Sequence, residues 1–374
     1  MSGRRALIPP DERLPDDFVD TLRESARLTD ATGKPDPAAI SGLRSSGVLA
    51  VGVPTEYGGR GGDAVLVNRV VERVARFNPS VAIILFQHCA VSARIAEWGT
   101  FEQKDNLLPR LASGELLAAS SWSEPGAGAA KKKINTTATR LPGDRWVLDG
   151  TKSFTTGADV ADIYLVLAQS GPACEDESGG VYGASGQSFF LVPGGTPGVI
   201  PDLSINLVGM RGSATGFVSL RQCELNDTDR LGPLGEAPKI IAGVRESGAT
   251  LGAVSVGIAQ SLCDIAAKHF AKGVQPALRY RLVDLATQVE AARALVTYTG
   301  QRMSADPGVT TLHSKLFAST VAEQVGTEIA RLMGSAGYVV DHQINQLTAD
   351  ARAVGLMGPA SDLCRELVFA SWGM

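Results

Sequence analysis

The apolar residues of this chain change their spacing twice, and that change limits the folds that the chain can adopt. Residues 15–114 carry apolar positions mainly at helical spacing, and residues 81–98 are apolar enough for a buried helix. Between residues 117 and 225, short segments rich in β-branched and aromatic residues are separated by Gly, Pro and Asp clusters, which is typical of strands. Helical spacing returns from Pro238 onward. The chain is therefore predicted to be an α+β protein with helices, then a β domain, then a helical bundle.

Four segments carry the strand pattern most clearly, and they predict an antiparallel sandwich or small barrel. They are residues 145–148, 163–167, 188–192 and 216–220. Two apolar stripes at helical spacing predict long antiparallel helices in a bundle of the four-helix type. They consist of Leu278, Leu282, Leu285, Val289, Ala292 and Val296, and of Leu316, Val321, Val325, Ile329 and Leu332. We expect an N-terminal helical domain at residues 1–116, a β domain at 117–229 and a C-terminal helical bundle at 230–374.

Composition restricts the class of protein. The 374 residues are 44% apolar and 20% charged, with a net charge of −4, which does not favour nucleic-acid binding. No apolar run is expected to span a bilayer, and the first residues lack the apolar core of a signal peptide, so we expect a cytoplasmic protein without a membrane partner. The five cysteines and four histidines are scattered, which indicates reduced thiols and no metal site.

Many short motifs follow one another in an informative order. They are residues 47–59 (GVLAVGVPTEYGG), 99–104 with 108–109 and 113–115, 122–128 (WSEPGAG), 149–157 (DGTKSFTTG), 209–213 (GMRGS), 257–260 (GIAQ) and 334–337 (GSAG). Together, between two helical regions, they resemble the acyl-CoA dehydrogenase family over nearly the whole chain. The incomplete GxGxxG pattern at residues 126–128 lies outside a βαβ setting and does not favour a dinucleotide fold.

The resemblance implies a flavoprotein with FAD between the β domain and the C-terminal bundle. In such a protein Trp122 and Ser123 would offer a backbone N–H and a hydroxyl to the isoalloxazine ring. Phe154 would stack on that ring and Thr156 would keep a hydroxyl beside it. The alternatives are core packing for Phe154 and strand-edge hydroxyls without a ligand for Ser123 and Thr156.

The chemistry implied by the resemblance is α,β-desaturation of an acyl thioester. A base removes the α-proton and the β-hydrogen leaves as hydride to the flavin. This chain departs from the family at the base, because the usual glutamate position falls on Gly358, which cannot move a proton. In a minority of the family the carboxylate lies on the first helix of the bundle instead. Counting back from the motif at residues 257–260 places that position at Ser247 in this chain. Glu246 is one residue off, a rotation of about 100° on a helix; it is the candidate base, with an ion pair or solvated face as the alternative.

Further departures concern the phosphates and the substrate arm. The family's Arg-x-x-Phe-Gly loop is shortened at residues 270–276, and Arg331 lies where a guanidinium could meet the FAD pyrophosphate, with Gly334 close by in sequence. Residues 129–130 replace the family's Ser-Asp. The basic triplet that starts at Lys131 is either a solvated turn or a contact to CoA phosphates or to an acyl carrier protein. Arg245, Lys131 and Met357 are the candidate substrate-binding residues.

Three functions therefore remain open. The first is FAD-dependent dehydrogenation of a CoA-bound or carrier-bound acyl thioester, in a specialised biosynthetic or catabolic pathway, with electron-transfer flavoprotein or oxygen as the electron acceptor. The second is a flavin monooxygenase of the same fold, which needs no carboxylate. The third is a heteromer subunit whose partner supplies the base. A homodimer or homotetramer is expected from the resemblance.

Overall fold

The N-terminal third of the molecule is helical. The computed structural model of the chain describes residues 13–127, 131–172, 183–271 and 276–373. The first helices are α1 (Asp16–Thr32), α2 (Pro37–Ser45), α3 (Ala64–Phe77), α4 (Pro79–Trp98) and α5 (Phe101–Ser113). Side-chain caps fix several of their starts: Asp63 accepts from the backbone N–H of Leu66, and Thr100 and Gln103 form a reciprocal capping box.

Helix α4 forms the centre of this region. Asn78 caps it and Pro79 occupies its first turn, where a missing N–H costs nothing. By length and composition α4 is apolar enough to cross a membrane, contrary to the expectation that no segment would be, but 72% of that window is buried inside the fold. A helix that is apolar on all sides and covered by other elements of the protein has the character of a core helix, and α4 fits this description.

The middle of the chain forms one twisted sheet. Its strands are β1 (Ala118–Ser121), β2 (Thr137–Leu141), β3 (Arg145–Thr155), β4 (Ile163–Gln169), β5 (Gln187–Pro193), β6 (Val199–Asp202), β7 (Gly216–Asn226) and β8 (Arg230–Leu231). The order is β6-β7-β3-β2-β4-β5-β8, with β1 added to β4. The sheet is antiparallel except that β1 runs parallel to β4 and β2 meets β4 in one parallel pair. The expected antiparallel domain is thus a mixed sheet, because β1 enters from the helical region beside β4.

The last third is helical again. Its helices are α6 (Ala237–Glu246), α7 (Gly252–Phe270), α8 (Pro276–Gln301), α9 (Pro307–Leu332), α10 (Gln343–Leu356) and α11 (Ser361–Ser371). Most residues of the two predicted apolar stripes are buried on α8 and α9, while Leu278, Leu282 and Leu316 are partly buried at the edges. Burial of these stripes is the main source of stability for such long helices.

The N-terminal helices pack directly on the C-terminal ones, chiefly α3 against α7 and α8. At Gly257 in α7 an added Cβ would lie 2.3 Å from the carbonyl oxygen of Glu72 in α3, so only glycine permits this approach. Valines of α3, α7 residues and the α9 stripe share one apolar core. The sheet contributes to two further cores: Leu165 and Phe189 pack with residues of surrounding helices, and Trp146 and Phe190 belong to a separate cluster. A cleft remains where the sheet meets α6 and α10.

Candidate active site

The cleft has a volume of about 970 Å³ and a mainly apolar lining. Its walls come from the segment after β1, the end of β3, the loop of residues 205–210, and helices α4, α6 and α10. Six of the residues singled out by sequence line it together: Trp122, Ser123, Lys131, Phe154, Thr156 and Arg245. Met357 and Gly358 complete the set at the end of α10. An apolar cleft with a few convergent polar groups has the character of a small-molecule site.

Trp122 and Ser123 follow directly after β1. The carbonyl oxygen of Ser123 accepts a hydrogen bond of 2.8 Å from the backbone N–H of Ser153, which fixes this segment beside β3. The Trp122 ring packs on Phe189, with centroids 4.9 Å apart. Its Nε1 is buried and finds no hydrogen-bond partner among the described residues. Such an orphaned donor next to a cleft is unusual and favours a missing ligand.

Phe154 is turned out of the sheet by a local irregularity. The β3–β7 register shifts between Lys152 and Thr155, and Phe154 adopts φ +52°, in the left-handed region that non-glycine residues rarely enter. Its side chain is 64% exposed and lines the cleft. A large exposed aromatic ring held by a strained backbone points to a binding role. Its place in the cleft speaks against ordinary core packing.

Thr156 belongs to a short chain of hydroxyls. Its Oγ1 lies 3.1 Å from the hydroxyl of Thr215, which in turn lies 2.8 Å from the hydroxyl of Ser213. All three residues line the cleft. A hydroxyl has one proton to donate and two lone pairs, so this chain leaves capacity to hydrogen-bond a guest in the cleft.

A buried ion pair holds Glu124, the residue that follows Ser123. Lys152 Nζ lies 2.7 Å from Glu124 Oε1, and both side chains are almost fully buried. The backbone N–H groups of Asn135 and Thr136 also donate to this carboxylate, at 2.5 and 3.0 Å. Burial pushes the pKa of Glu124 upward, but Lys152 and the hydrogen bonds outweigh it and hold that pKa below its usual value. Glu124 is therefore ionised and fully engaged.

Lys131 does not extend into solvent. Only 5% of the residue is exposed, and its Nζ donates a 2.8 Å hydrogen bond to the hydroxyl of Ser123. Burial lowers the pKa of Lys131 to about 8, repulsion from Lys152 acts in the same direction, and Glu124 opposes both. Of the expected basic triplet, Lys132 and Lys133 are exposed and Lys131 alone turns inward.

The candidate base Glu246 lies away from the cleft. It is the last residue of α6, its side chain is exposed, and its Cγ lies near Gly308 at the start of α9. Its predecessor Arg245 lines the cleft instead. The rotation of about 100° between neighbouring helical residues explains this outcome. No irregularity within α6 corrects the offset, so Glu246 does not line the cleft.

No uncompensated carboxylate lines the cleft within the described part of the chain. Among its lining residues the sole carboxylate is that of Glu124, which is paired with Lys152. Gly358, at the usual base position, lines the cleft with backbone alone. Arg245 also lines it, and its Nε is buried with no hydrogen-bond partner among the described residues. The cleft thus presents cations and hydroxyls rather than a free acid.

The two residues assigned to the cofactor phosphates lie elsewhere. Arg331 near the end of α9 is 69% exposed and pairs with Glu328 at 2.5 Å. Gly334 begins a 3₁₀ turn at residues Gly334–Tyr338. Neither residue lines the cleft. Residues 272–275 of the shortened loop and the replaced residues 129–130 lie outside the described residues.

Two features of the site were not found from the sequence. Arg352 in α10 lines the cleft, and Asp350 on the same helix accepts a hydrogen bond from the backbone N–H of Met210. The one available signal was an acidic residue within an otherwise apolar helical pattern, which favours a buried, hydrogen-bonded carboxyl.

Comparison with known proteins agrees with this architecture. Residues 16–115, 119–223 and 241–371 match the N-terminal, middle and C-terminal domains of acyl-CoA dehydrogenase. The chain belongs to the acyl-CoA dehydrogenase family, and so to the oxidoreductases that act on CH–CH groups.

Individual relatives span the whole fold. The chain is 30% identical over 372 residues to cyclohexane-1-carbonyl-CoA dehydrogenase of Geobacter metallireducens, covering 94% of this chain and 95% of that protein. It is 28% identical over 359 residues to an acyl-CoA dehydrogenase of Bacillus subtilis, with 93% and 92% covered. The solved structure of butyryl-CoA dehydrogenase from Megasphaera elsdenii superposes with a TM-score of 0.84 at 26% identity, covering 97% of this chain and 99% of that one.

Proposed function

We propose that this protein catalyses FAD-dependent α,β-dehydrogenation of an acyl thioester presented by CoA or by an acyl carrier protein. One observation carries the proposal. The exposed ring of Phe154 and the residues Ser123 and Thr156 line the same cleft as Met357 and Gly358, so a ring system and a substrate chain would meet there. The specialised pathway expected from the sequence remains part of this proposal.

The residues present fit an isoalloxazine ring. The cleft offers an aromatic face at Phe154, hydroxyls at Ser123 and Thr156, and the unpartnered Nε1 of Trp122. FAD bound there would supply the acceptor for the hydride that leaves the β-carbon. The protein's own groups would bind the ring, orient it against the substrate, and exclude water through the apolar walls.

The substrate side of the cleft is cationic. Arg245 and Met357 both line the cleft, and the buried Nε of Arg245 has no hydrogen-bond partner among the described residues. A guanidinium whose Nε lacks a protein acceptor is suited to an oxyanion or a carbonyl oxygen of the thioester arm. We assign Arg245 and Met357 to substrate binding on this basis.

Dehydrogenation requires a base that takes up the α-proton. No free carboxylate is found among the described residues that line the cleft. Glu246 could act only if the last turn of α6 rotated by about 100°. A base supplied by a partner chain, as in a heteromer, is the other route within the dehydrogenase proposal.

The lack of a free carboxylate among the described lining residues favours a second candidate, a flavin-dependent monooxygenase of this fold. Such an enzyme combines reduced flavin, oxygen and substrate, and does not depend on a carboxylate to remove an α-proton. The lining of hydroxyls, Lys131, Arg245 and Arg352 suits it.

Assembly into a homodimer or homotetramer is part of the proposal. Tyr338, the last residue of the Gly334 turn, and Val339 and Val340 directly after it are exposed apolar residues. An exposed apolar patch next to Arg331 is suited to a subunit interface at which Arg331 meets a neighbour's FAD pyrophosphate. We also propose a cytoplasmic location, since the described cysteines are buried and unpaired, and electron-transfer flavoprotein or oxygen as acceptor.

An anaerobic experiment tests the function. The purified protein, loaded with FAD, is mixed with a panel of acyl-CoA and acyl-carrier thioesters, and flavin absorbance and product mass are followed. The proposal expects bleaching of the flavin and a product lighter by two hydrogens. Oxygen-18 incorporation that requires a flavin reductase would establish the monooxygenase instead. Weak FAD binding that is restored only by a co-expressed relative would establish the heteromer.

A further inference from the structure

Lys131 occupies an unusual position for a lysine beside a binding cleft. Its backbone is left-handed, with φ +53°, and its carbonyl oxygen accepts a 2.9 Å hydrogen bond from Nε2 of the buried Gln187. These two features direct the side chain inward, where Nζ reaches the hydroxyl of Ser123 at 2.8 Å. The ammonium group is thus held by the fold, next to a residue assigned to the flavin.

Lys131 and Lys152 share the field of one carboxylate. Glu124 is that carboxylate, and Lys152 already pairs with it at 2.7 Å. With a pKa of about 8, Lys131 is predominantly protonated at neutral pH. The ammonium group of Lys131 therefore places a positive charge directly beside the Ser123 hydroxyl at the lining of the cleft.

The hydrogen bond to Ser123 also has a direction. An ammonium group can only donate, so the Ser123 oxygen accepts and its own proton points elsewhere. Since Ser123 lines the cleft, that proton is available to an acceptor atom of a bound ring. Lys131 both orients the Ser123 hydroxyl as a donor and places a positive charge behind it.

We propose that Lys131, acting through Ser123, stabilises the reduced form of the bound flavin and raises its reduction potential. Resting on the flavin site of the proposed function, this inference identifies Lys131 as a positioning and electrostatic residue rather than a contact to CoA or to a carrier protein. Uptake of a hydride brings two electrons and one proton to the ring, which gains one negative charge. A cation held in a water-poor site favours that charge more strongly than one in bulk water.

The test compares Lys131→Met with Lys132→Met. Both variants lose one positive charge and gain the same side chain, but Lys132 is exposed. FAD content is measured first, and the two-electron midpoint potential of the substrate-free holoenzyme is then measured against reference dyes. We expect Lys131→Met to shift the oxidised-to-reduced equilibrium at least about tenfold toward the oxidised form, about 30 mV for two electrons, and to weaken sulfite addition to the flavin equally. Lys132→Met should match the wild type.

Two further variants separate charge from hydrogen bonding. Lys131→Gln keeps a donor without the charge, so its potential should fall as that of Lys131→Met does, and it carries the test if the Met variant does not fold. Lys131→Arg keeps the charge and should retain most of the potential. Equal potentials in Lys131→Gln and wild type, with FAD fully bound in both, would overturn the inference while leaving the proposed function intact. Failure of the wild type to bind FAD would instead defeat both.

Discussion

Asp350 in α10 accepts a 2.5 Å hydrogen bond from the backbone N–H of Met210, joining groups 140 residues apart in the chain. This contact connects the last helices to the loop that lines the cleft. The carboxyl is buried, and its second oxygen has no hydrogen-bond partner among the described residues. Burial raises the pKa of Asp350 to about 7, the Met210 N–H opposes that shift, and the charge of Asp30 adds to it.

Replacement of Asp350 by Asn should flatten the pH dependence of stability. Because the folded pKa lies above the usual 3.8, the protonated carboxyl stabilises the fold below about pH 4, and this contribution is lost as the pH rises to about 7. Between pH 4.5 and 8 we expect wild type to lose roughly 2–4 kcal/mol relative to the variant. Urea unfolding at both pH values measures the difference. His88, whose pKa burial lowers to about 4, is common to both proteins and cancels. Parallel pH profiles would contradict the assignment.

Breaking the Glu124–Lys152 pair should be costly on either side. Lys152→Met leaves a buried carboxylate without its counter-charge, which typically costs about 3–5 kcal/mol. The double variant Glu124→Gln/Lys152→Met removes both charges and should recover much of that loss, since the introduced amide oxygen still accepts from the N–H groups of Asn135 and Thr136. A double-mutant cycle of unfolding free energies checks this. Additive effects of the two changes would exclude a direct pair.

Glu246→Gln should leave the rate of flavin reduction within about twofold of wild type, because Glu246 is exposed and lies outside the cleft. Stopped-flow mixing with an acyl thioester under anaerobic conditions measures that rate. Removal of a general base would cost about 10²–10⁴-fold. A loss of that size would show that α6 rearranges when substrate binds and that Glu246 is the base after all.

Arg245→Met should weaken substrate binding and leave the flavin unchanged. A hydrogen bond to a charged group contributes about 1.5–3 kcal/mol, so we expect KM for the thioester to rise about tenfold or more. The flavin spectrum and midpoint potential should match those of wild type. The matched control is Arg365→Met, because Arg365 is an exposed residue of α11 and does not line the cleft. An unchanged KM in Arg245→Met would remove Arg245 from the substrate site.

The architecture could be predicted from the sequence because it depends on repeated local patterns. The α9 stripe that ends at Leu332 and the buried residues of α8 follow directly from helical spacing. The parallel placement of β1 beside β4 could not be predicted, since strand pairing depends on where the preceding helices deliver the chain. The left-handed backbone at Phe154 could not be predicted either, because it accompanies the register shift of β3 against β7, and strand register depends on the tertiary fold.

The site was predicted less completely, for reasons of geometry. Resemblance identified Phe154 and Ser123 as residues of one site, and both line the cleft. The position of Glu246 depends on a single residue of helical register, which motif spacing does not resolve. The inward turn of Lys131 depends on its backbone and on Gln187, 56 residues away. In the sequence it was one of three similar lysines.

The central claim is that an isoalloxazine ring binds against Phe154, and FAD titration of Phe154→Ala tests it most directly. Phe154 is 64% exposed in the absence of a guest, so its removal should hardly affect folding. The matched control is Phe101→Ala, which removes a ring that is 71% exposed on α5 and outside the cleft. Loss of a stacking ring costs about 1–3 kcal/mol. The account predicts an FAD dissociation constant raised about tenfold or more in Phe154→Ala and unchanged in Phe101→Ala. Equal FAD affinity in both variants and wild type, or no FAD binding by the folded wild type, would contradict it.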